Sequence, residues 1–474
     1  MKTKRFTPFM VALAGSVLAV GSMNAQETPH QRDSLMSLNK NAIQQIAPGQ
    51  GHAAGQSGFW GYAFGDYAYM AKGDSAGRGT KQQYKGLGAN SAAIKTPNAF
   101  EIRRAYLGYD YNINKHFSAY ALLAYEGDED VSDNRTVYLK YIYLKWKNIW
   151  KNSNLRIGQQ ATNSFASDYN TEPLMGYRAS EKTIMDMHGM DGSSDMGLEL
   201  DGRLWTHMGG DTSKVPTFIG YSAMVGDNSG NNPVPAFTGT ASSLAAVPST
   251  SSLTINPINN TTDNAKKFRG QLYVNCLNNT LTVGAYADYI NYGDEGFHDL
   301  NGKSSSILQQ AVMTQKVYAV YNSKWFGVGG ELVMQSMKNG EIEAYKVVKG
   351  VSTGTNDTTT AEQMGFSVFA HGTIIQNTLN VFARYDMYTP DTKYAFNANE
   401  TFTSFMSNVS SSGNGNSYKE TFMNFGLDWT PTKDKKVHIM PNVWYYGIKN
   451  GYGADNLESS NYMLYRVTFL FAFN

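Results

Sequence analysis

The sequence predicts an all-β protein: a closed, transmembrane, antiparallel β-barrel of about 16 strands, with short periplasmic turns at one end and long extracellular loops at the other. Three observations lead there. The final fourteen residues (NYMLYRVTFLFAFN) put Met463, Tyr465, Val467, Phe469, Phe471 and Phe473 on one face of an extended strand, and Arg466 and Thr468 on the other. Strand-like segments recur along the chain, joined by connections that alternate short and long. Beyond the N-terminal leader no apolar run is long enough for a transmembrane helix, yet aromatics make up 13% of the residues.

The first element is a secretory signal. Lys2, Lys4 and Arg5 precede the apolar run 9–20, with small residues and a cut expected after Ala25, although Met23 stands where a small residue is preferred. This divides the chain into a signal peptide (1–25), a periplasmic N-terminal segment (26–57) and the barrel (58–474). Strands are expected at 58–71, 98–112, 115–126, 135–147, 153–161, 193–205, 217–226, 266–276, 279–290, 311–323, 325–337, 363–374, 377–388, 418–430, 434–446 and 461–473. Tight connections such as NINK (112–115), CLNN (276–279), IIQN (374–377) and TPTKD (430–434) alternate with Gly-, Ser-, Thr- and Asn-rich stretches such as 72–97, 226–265 and 389–417. Alternation sets the facing. In 115–126, Phe117, Ala119, Ala121 and Leu123 oppose Ser118, Tyr120 and Glu126; in 193–205, Met196, Leu198, Leu200 and Leu204 oppose Asp195, Glu199, Asp201 and Arg203. A lipid-facing Arg or Lys at mid-bilayer costs about 2–4 kcal/mol, so the charged face turns to a wet lumen. Residues 58–71 and 135–147 do not alternate cleanly, and their faces stay open.

Composition narrows function. Lys plus Arg number 40 against 39 Asp plus Glu, and loss of Lys2, Lys4 and Arg5 leaves 37, so no overall field favours nucleic acid. Cys276 is the single cysteine, which excludes an intrachain disulfide. Gly73 to Gly77 matches G-x-S-x-G but opens a Gly- and Lys-rich loop rather than a strand-to-helix elbow. The eight histidines form no H-E-x-x-H, and His116, His371 and His438 read as wall or girdle residues. Asp128, Glu129, Asp130 and Asp133 crowd a short loop without the glycine and closing Glu of an EF-hand. No catalytic residue, cofactor or metal is expected.

Residues 162–192 differ from the other loops. They form the third long connection and carry Leu174, Met175, Tyr177, Ile184 and Met185, apolar residues that need burial. In a barrel too wide for side chains to fill, the inside wall is the available place, the alternative being the outer rim.

The runs FEIRRAYLGYDYNINKHFSAYALLAYEGDE (100–129), LKYIYLKWKNIWKNSNLRIGQQ (139–160) and SSDMGLELDGRL (193–204) resemble the phosphate-selective porin O and P family. The resemblance covers the first two hundred residues well. It implies a trimeric, 16-stranded passive pore in the outer membrane of a Gram-negative bacterium, narrowed by an inward third loop. Its partners would be membrane lipid, ions and small hydrophilic solutes. Phosphate selectivity is not implied for this chain, because 162–192 offers only Arg178 and Lys182 against Asp168, Glu172, Glu181, Asp186 and Asp191. Candidate pore-lining residues are Arg178, Glu181, Lys182 and Asp186 on that loop, with Arg104, Arg156, Arg203, Arg269, Arg384 and Arg466 opposing Asp195, Glu199, Asp201, Asp288, Asp386 and Asp428 on the wall. Such charges either select ions or pair with one another as scaffolding. Other readings are a dedicated channel for an oligosaccharide, organic acid or phosphate, marked by Trp60, Trp444 or Tyr120 aligned along the pore, and an outer-membrane enzyme or adhesin.

Overall fold

The computed structural model describes residues 53–72, 98–127, 136–164, 181–207, 217–228, 265–278, 280–293, 310–344, 357–390, 417–452 and 460–473, with residue 392 and short strand pieces at 237–238, 254–255, 347–348, 351–352 and 401–404. The expected signal peptide, most of the expected N-terminal segment, the G-x-S-x-G stretch and the 128–133 acidic cluster lie outside these residues.

Sixteen strands close into one antiparallel barrel. They are β1 (Gln56–Lys72), β2 (Asn98–Asn112), β3 (Phe117–Glu126), β4 (Tyr138–Trp150), β5 (Ser153–Ala161), β6 (Ser194–His207), β7 (Thr217–Gly226) and β8 (Lys267–Cys276). The second half comprises β9 (Leu281–Gly293), β10 (Gln310–Asn322), β11 (Phe326–Ala344), β12 (Asp357–Ile375), β13 (Leu379–Thr389), β14 (Ser417–Trp429), β15 (Val437–Tyr452) and β16 (Ser460–Phe473). Each strand pairs with the next, and β1 returns to β16 with Gly61 opposite Phe473 and Tyr69 opposite Tyr465, so the sheet has no free edge. The fourth strand runs 138–150, three residues later than the 135–147 expected, because a two-residue turn at Lys151 and Asn152 lets it continue to Trp150.

Tight turns occupy one end, and side chains build them. Asn114 accepts from the backbone N–H of His116 and Phe117 at 2.8 and 2.9 Å, and the Ser323 hydroxyl accepts from Phe326 N–H at 3.1 Å. Asn152, Asn278 and Asn377 adopt φ near 60°, the left-handed conformation that asparagine tolerates.

Facing follows the alternation. On β14, Phe425 is 58% exposed while the adjacent Asn424 is 1% exposed. Aromatics including Phe59, Tyr109, Trp146, Trp150, Trp325, Trp429 and Phe473 are exposed on the outside toward the turn end, with Tyr67, Phe100, Phe268, Tyr289 and Tyr465 toward the loop end. An apolar outer band bounded by two aromatic girdles is built to contact lipid. The inner face mixes charged and polar residues with buried apolar clusters, one of which joins Trp60, Phe64 and Leu122 to Phe369, Phe382, Met440 and Leu470, and it has recesses where glycines meet large rings. A Cβ at Gly108 would lie 2.1 Å from the Trp60 indole, and one at Gly220 would lie 2.2 Å from the Tyr273 ring. Each glycine lets the neighbouring strand's ring lie flat on the wall.

The two strands whose faces the pattern left open contain or abut bulges. Register shifts between Phe64 and Gly65 against β2, and again between Leu122 and Leu123 against β4. An extra residue on one side of a pair breaks the period-two pattern there.

Candidate pore lining and the third loop

The wall candidates come together as buried ion pairs. Arg104 on β2 reaches Glu126 on β3 at 3.1 Å, and Lys140 on β4 meets the same carboxylate oxygen. Tyr106 and Tyr138 donate their hydroxyls to Glu126. Arg156 on β5 holds Glu199 at 2.9 Å and Asp201 at 3.1 Å on β6. Arg269 on β8 meets Asp195 at 2.6 Å, and Asp288 on β9 lies 3.2 Å from Lys267 and accepts from the Tyr286 hydroxyl at 2.7 Å. Arg384 and Asp386 pair along β13, and Asp428 on β14 contacts His438 at 2.8 Å. Arg466 lies 3.5 Å from Asp66 and over the Trp444 ring, 3.5 Å from its centroid. Arg203 lies over Phe218, 4.2 Å from its centroid. His371 contacts Asn322 from the inner wall of β12, whereas His116 is exposed in the turn before β3.

Of the third loop, 162–164 and 181–192 are described, and 181–192 runs inside the barrel. Thr183 caps a one-turn helix, α1 (Ile184–Met187), its hydroxyl accepting from Asp186 N–H. Ile184, Met185 and Met190 pack in one buried cluster with Tyr286, Val333 and Tyr388, from β9, β11 and β13. Met187 joins a second cluster with Phe422, Trp444 and Tyr462. His188 stacks on Tyr388 at 3.5 Å with Glu420 3.9 Å away, and the Met190 carbonyl accepts from Gln335 at 2.6 Å. The backbone carbonyl of Lys182 accepts from Arg384. Asp191 closes the segment: Lys267 meets it at 2.8 Å and Arg269 at 2.9 and 3.0 Å, and Tyr286 donates to it at 3.3 Å. Burial pushes the Asp191 carboxyl up, but Arg269 and Lys267 outweigh this and hold it well below the usual carboxylate range. Glu181 is fully buried 3.6 Å from Arg103, while Asp186 and Lys182 are half-buried. Arg178, Asp168 and Glu172 lie outside the described residues.

Alternation alone misses several of these groups. Gly65 pairs with Ile102 and Phe64 with Arg104, so Arg103 is the extra residue of a bulge, and both arginines turn inward. Arg103 thereby bridges Asp66 and Glu181, each at 3.6 Å. Lys267 and Lys316 also face inward; Lys316 lies 3.7 Å from Glu331 and donates to the Ser164 carbonyl at the start of the third loop. Parity along β8 and β10 carries that signal. Among the described residues, nine Lys or Arg and twelve Asp or Glu are buried, two of the acids (Glu181 and Asp191) on the loop, so the buried groups carry no excess of positive charge. Among them, no group of three or more His, Cys, Asp or Glu could hold a metal ion.

Trp60 and Tyr120 stand together on the inner wall with ring centroids 5.9 Å apart, whereas Trp444 belongs to the separate cluster around Arg466.

No known family's sequence profile matches the chain, and no curated relative does. Solved structures do match. The outer membrane channel DcaP of Acinetobacter baumannii is similar with a TM-score of 0.50 at 11% identity, over 90% of this chain and 100% of that one. OprB of Pseudomonas putida is similar with a TM-score of 0.51 at 10% identity, over 88% of this chain and 94% of that one. At such low identity the likeness establishes the fold, a 16-stranded porin-like barrel.

Proposed function

We propose that this chain is an outer-membrane porin through which ions and small hydrophilic solutes diffuse downhill, exported by its signal peptide and assembled as a homotrimer. One observation carries the reading: a closed barrel, apolar outside and carrying paired charges inside, holds a segment of its own third loop against the inner wall. That arrangement narrows an aqueous passage without supplying chemistry. The resemblance of 100–129, 139–160 and 193–204 to the phosphate-selective porin O and P family supports the trimer and the passive mechanism. Phosphate selectivity is not part of the proposal. The buried acids outnumber the buried bases, and arginines such as Arg104, Arg156 and Arg269 are tied to carboxylates. A permeating ion therefore meets opposite charges side by side, whose fields largely cancel beyond a few ångströms. The test is reconstitution of the purified protein in planar bilayers under a salt gradient. Discrete conductance steps with a reversal potential near zero are expected; a folded barrel that carries no current refutes the proposal, and strong anion preference refutes its weak selectivity.

A second reading, a dedicated solute channel, is favoured by the adjacency of Trp60 and Tyr120 on the inner wall.

A further inference from the structure

We propose that the inner wall of β1, β3 and β4 carries a saccharide-binding lane, an inference that rests on the porin reading and names its solute class. Every second residue of Trp60-Gly61-Tyr62-Ala63-Phe64 faces inward, which sets three rings in a row along β1. Trp60 and Tyr62 lie 6.3 Å apart at 16°, and Tyr62 and Phe64 lie 6.4 Å apart at 10°, so the rings are close to parallel. The row turns onto the next strands through Tyr120, which is 5.9 Å from Trp60 and 5.0 Å from Tyr143, at 26° to the latter. Gly108 leaves the space that lets the indole lie flat instead of projecting across the lumen.

The lane has a backing and a front. Trp60 and Phe64 are buried in a cluster with Phe369, Phe382, Met440 and Leu470, while Tyr62 and Tyr120 at its edge, and Tyr143, are half-buried. Every front ring is therefore a tyrosine, offering an apolar face and, at its edge, a hydroxyl that donates and accepts. A pyranose has the matching surface: patches of C–H for the ring face and hydroxyls around its rim. The charges bordering the lane cancel only in sum: Arg104 and Lys140 exceed Glu126 by one base, and Glu199 and Asp201 exceed Arg156 by one acid. These two sets sum to no net charge along the lane, which favours a neutral saccharide over an organic acid.

The test uses the full channel in a planar bilayer, with maltohexaose as probe added on either side. Concentration-dependent interruption of the ion current is expected. Tyr120→Ala should raise the half-blocking concentration about fivefold to tenfold. Tyr120→Phe, which keeps the ring, should raise it less, and Leu107→Ala on the outward face of β2 should not change it. A conducting wild-type channel that maltohexaose does not interrupt overturns the lane and leaves the porin standing, as does a Tyr120→Ala channel blocked like wild type. Interruption by benzoate but not by maltohexaose overturns the saccharide class. A folded barrel without current overturns the porin reading and the lane with it.

Discussion

Asp191→Asn should free the third loop while leaving the barrel intact. The substitution keeps the shape of the side chain and removes the charge that Lys267 and Arg269 share at 2.8 to 3.0 Å. Breaking a buried ion pair by removing one partner costs about 3–5 kcal/mol, because the other charge is left uncompensated. Here the cost falls at the low end, about 3 kcal/mol, since Asp288 still neutralises Lys267 at 3.2 Å and Asp195 still neutralises Arg269 at 2.6 Å. Both of those acids sit on barrel strands, so the loss falls on the loop's attachment and not on strand pairing. At 1.4 kcal/mol per tenfold, the equilibrium between docked and lifted loop shifts roughly a hundredfold toward lifting. Single-channel recording reads this as open-state flicker and a larger mean conductance, with the unboiled gel mobility unchanged. A variant whose conductance and noise match wild type refutes the idea that Asp191 holds a segment that narrows the passage.

The remaining predictions concern pH, selectivity, facing and closure. The Asp191 carboxyl is held below its ordinary range in the folded state, so its contribution is present above the unfolded value and is lost only as pH falls through the depressed one; conductance noise should stay constant from about pH 7 to about pH 4, and loosening in that window contradicts the assignment. Glu181→Lys with Asp186→Lys should move the reversal potential toward anions, and no movement would set both residues apart from the ion path. Val467→Arg, on the outward face midway along β16, should cost about 2–4 kcal/mol and impair assembly, whereas Ser118→Asp, inward and opposite Lys145, should be mild; equal losses would invert the facing. Gly108→Ala forces a Cβ to within 2.1 Å of the Trp60 indole and should cost about 1–3 kcal/mol, read as a lower temperature for the gel-mobility shift of the closed barrel.

Period-two alternation reveals most of this barrel because one face must be apolar and the other can be charged. On β6, Asp195, Glu199 and Asp201 lie inward and Met196, Leu198 and Leu204 outward, as their spacing requires. The third loop was legible in part. Ile184 and Met185 needed burial and find it, but nothing in 162–192 specifies Tyr286, Val333 and Tyr388 as their partners. That pairing depends on how far around the cylinder the segment reaches, a long-range property that local pattern does not encode. The clustering of Trp60 with Tyr120 was hidden for the same reason, since their strands are separated by β2 and their rings meet across it.

Bulges account for the two inward bases that the pattern misses. Strands β8 and β9 pair in continuous register from Lys267 opposite Ile290 to Cys276 opposite Leu281, and parity along them predicts Arg269 and Asp288 as inward neighbours. Register shifts between β1 and β2, β3 and β4, β4 and β5, and β6 and β7, and also between β1 and β16, β9 and β10, β11 and β12, β12 and β13, and β14 and β15. The shifts on β2 and β4 carry Arg103 and Lys140, the two inward bases that simple parity cannot find. A bulge costs a ladder hydrogen bond and gains the freedom to turn two consecutive side chains to one face, which no regular strand permits. At Arg103 that freedom places a second guanidinium beside Arg104, directed to Glu181 of the loop while its neighbour serves Glu126 of the wall. The local rule thus fails where the wall must hold both itself and the segment folded inside it.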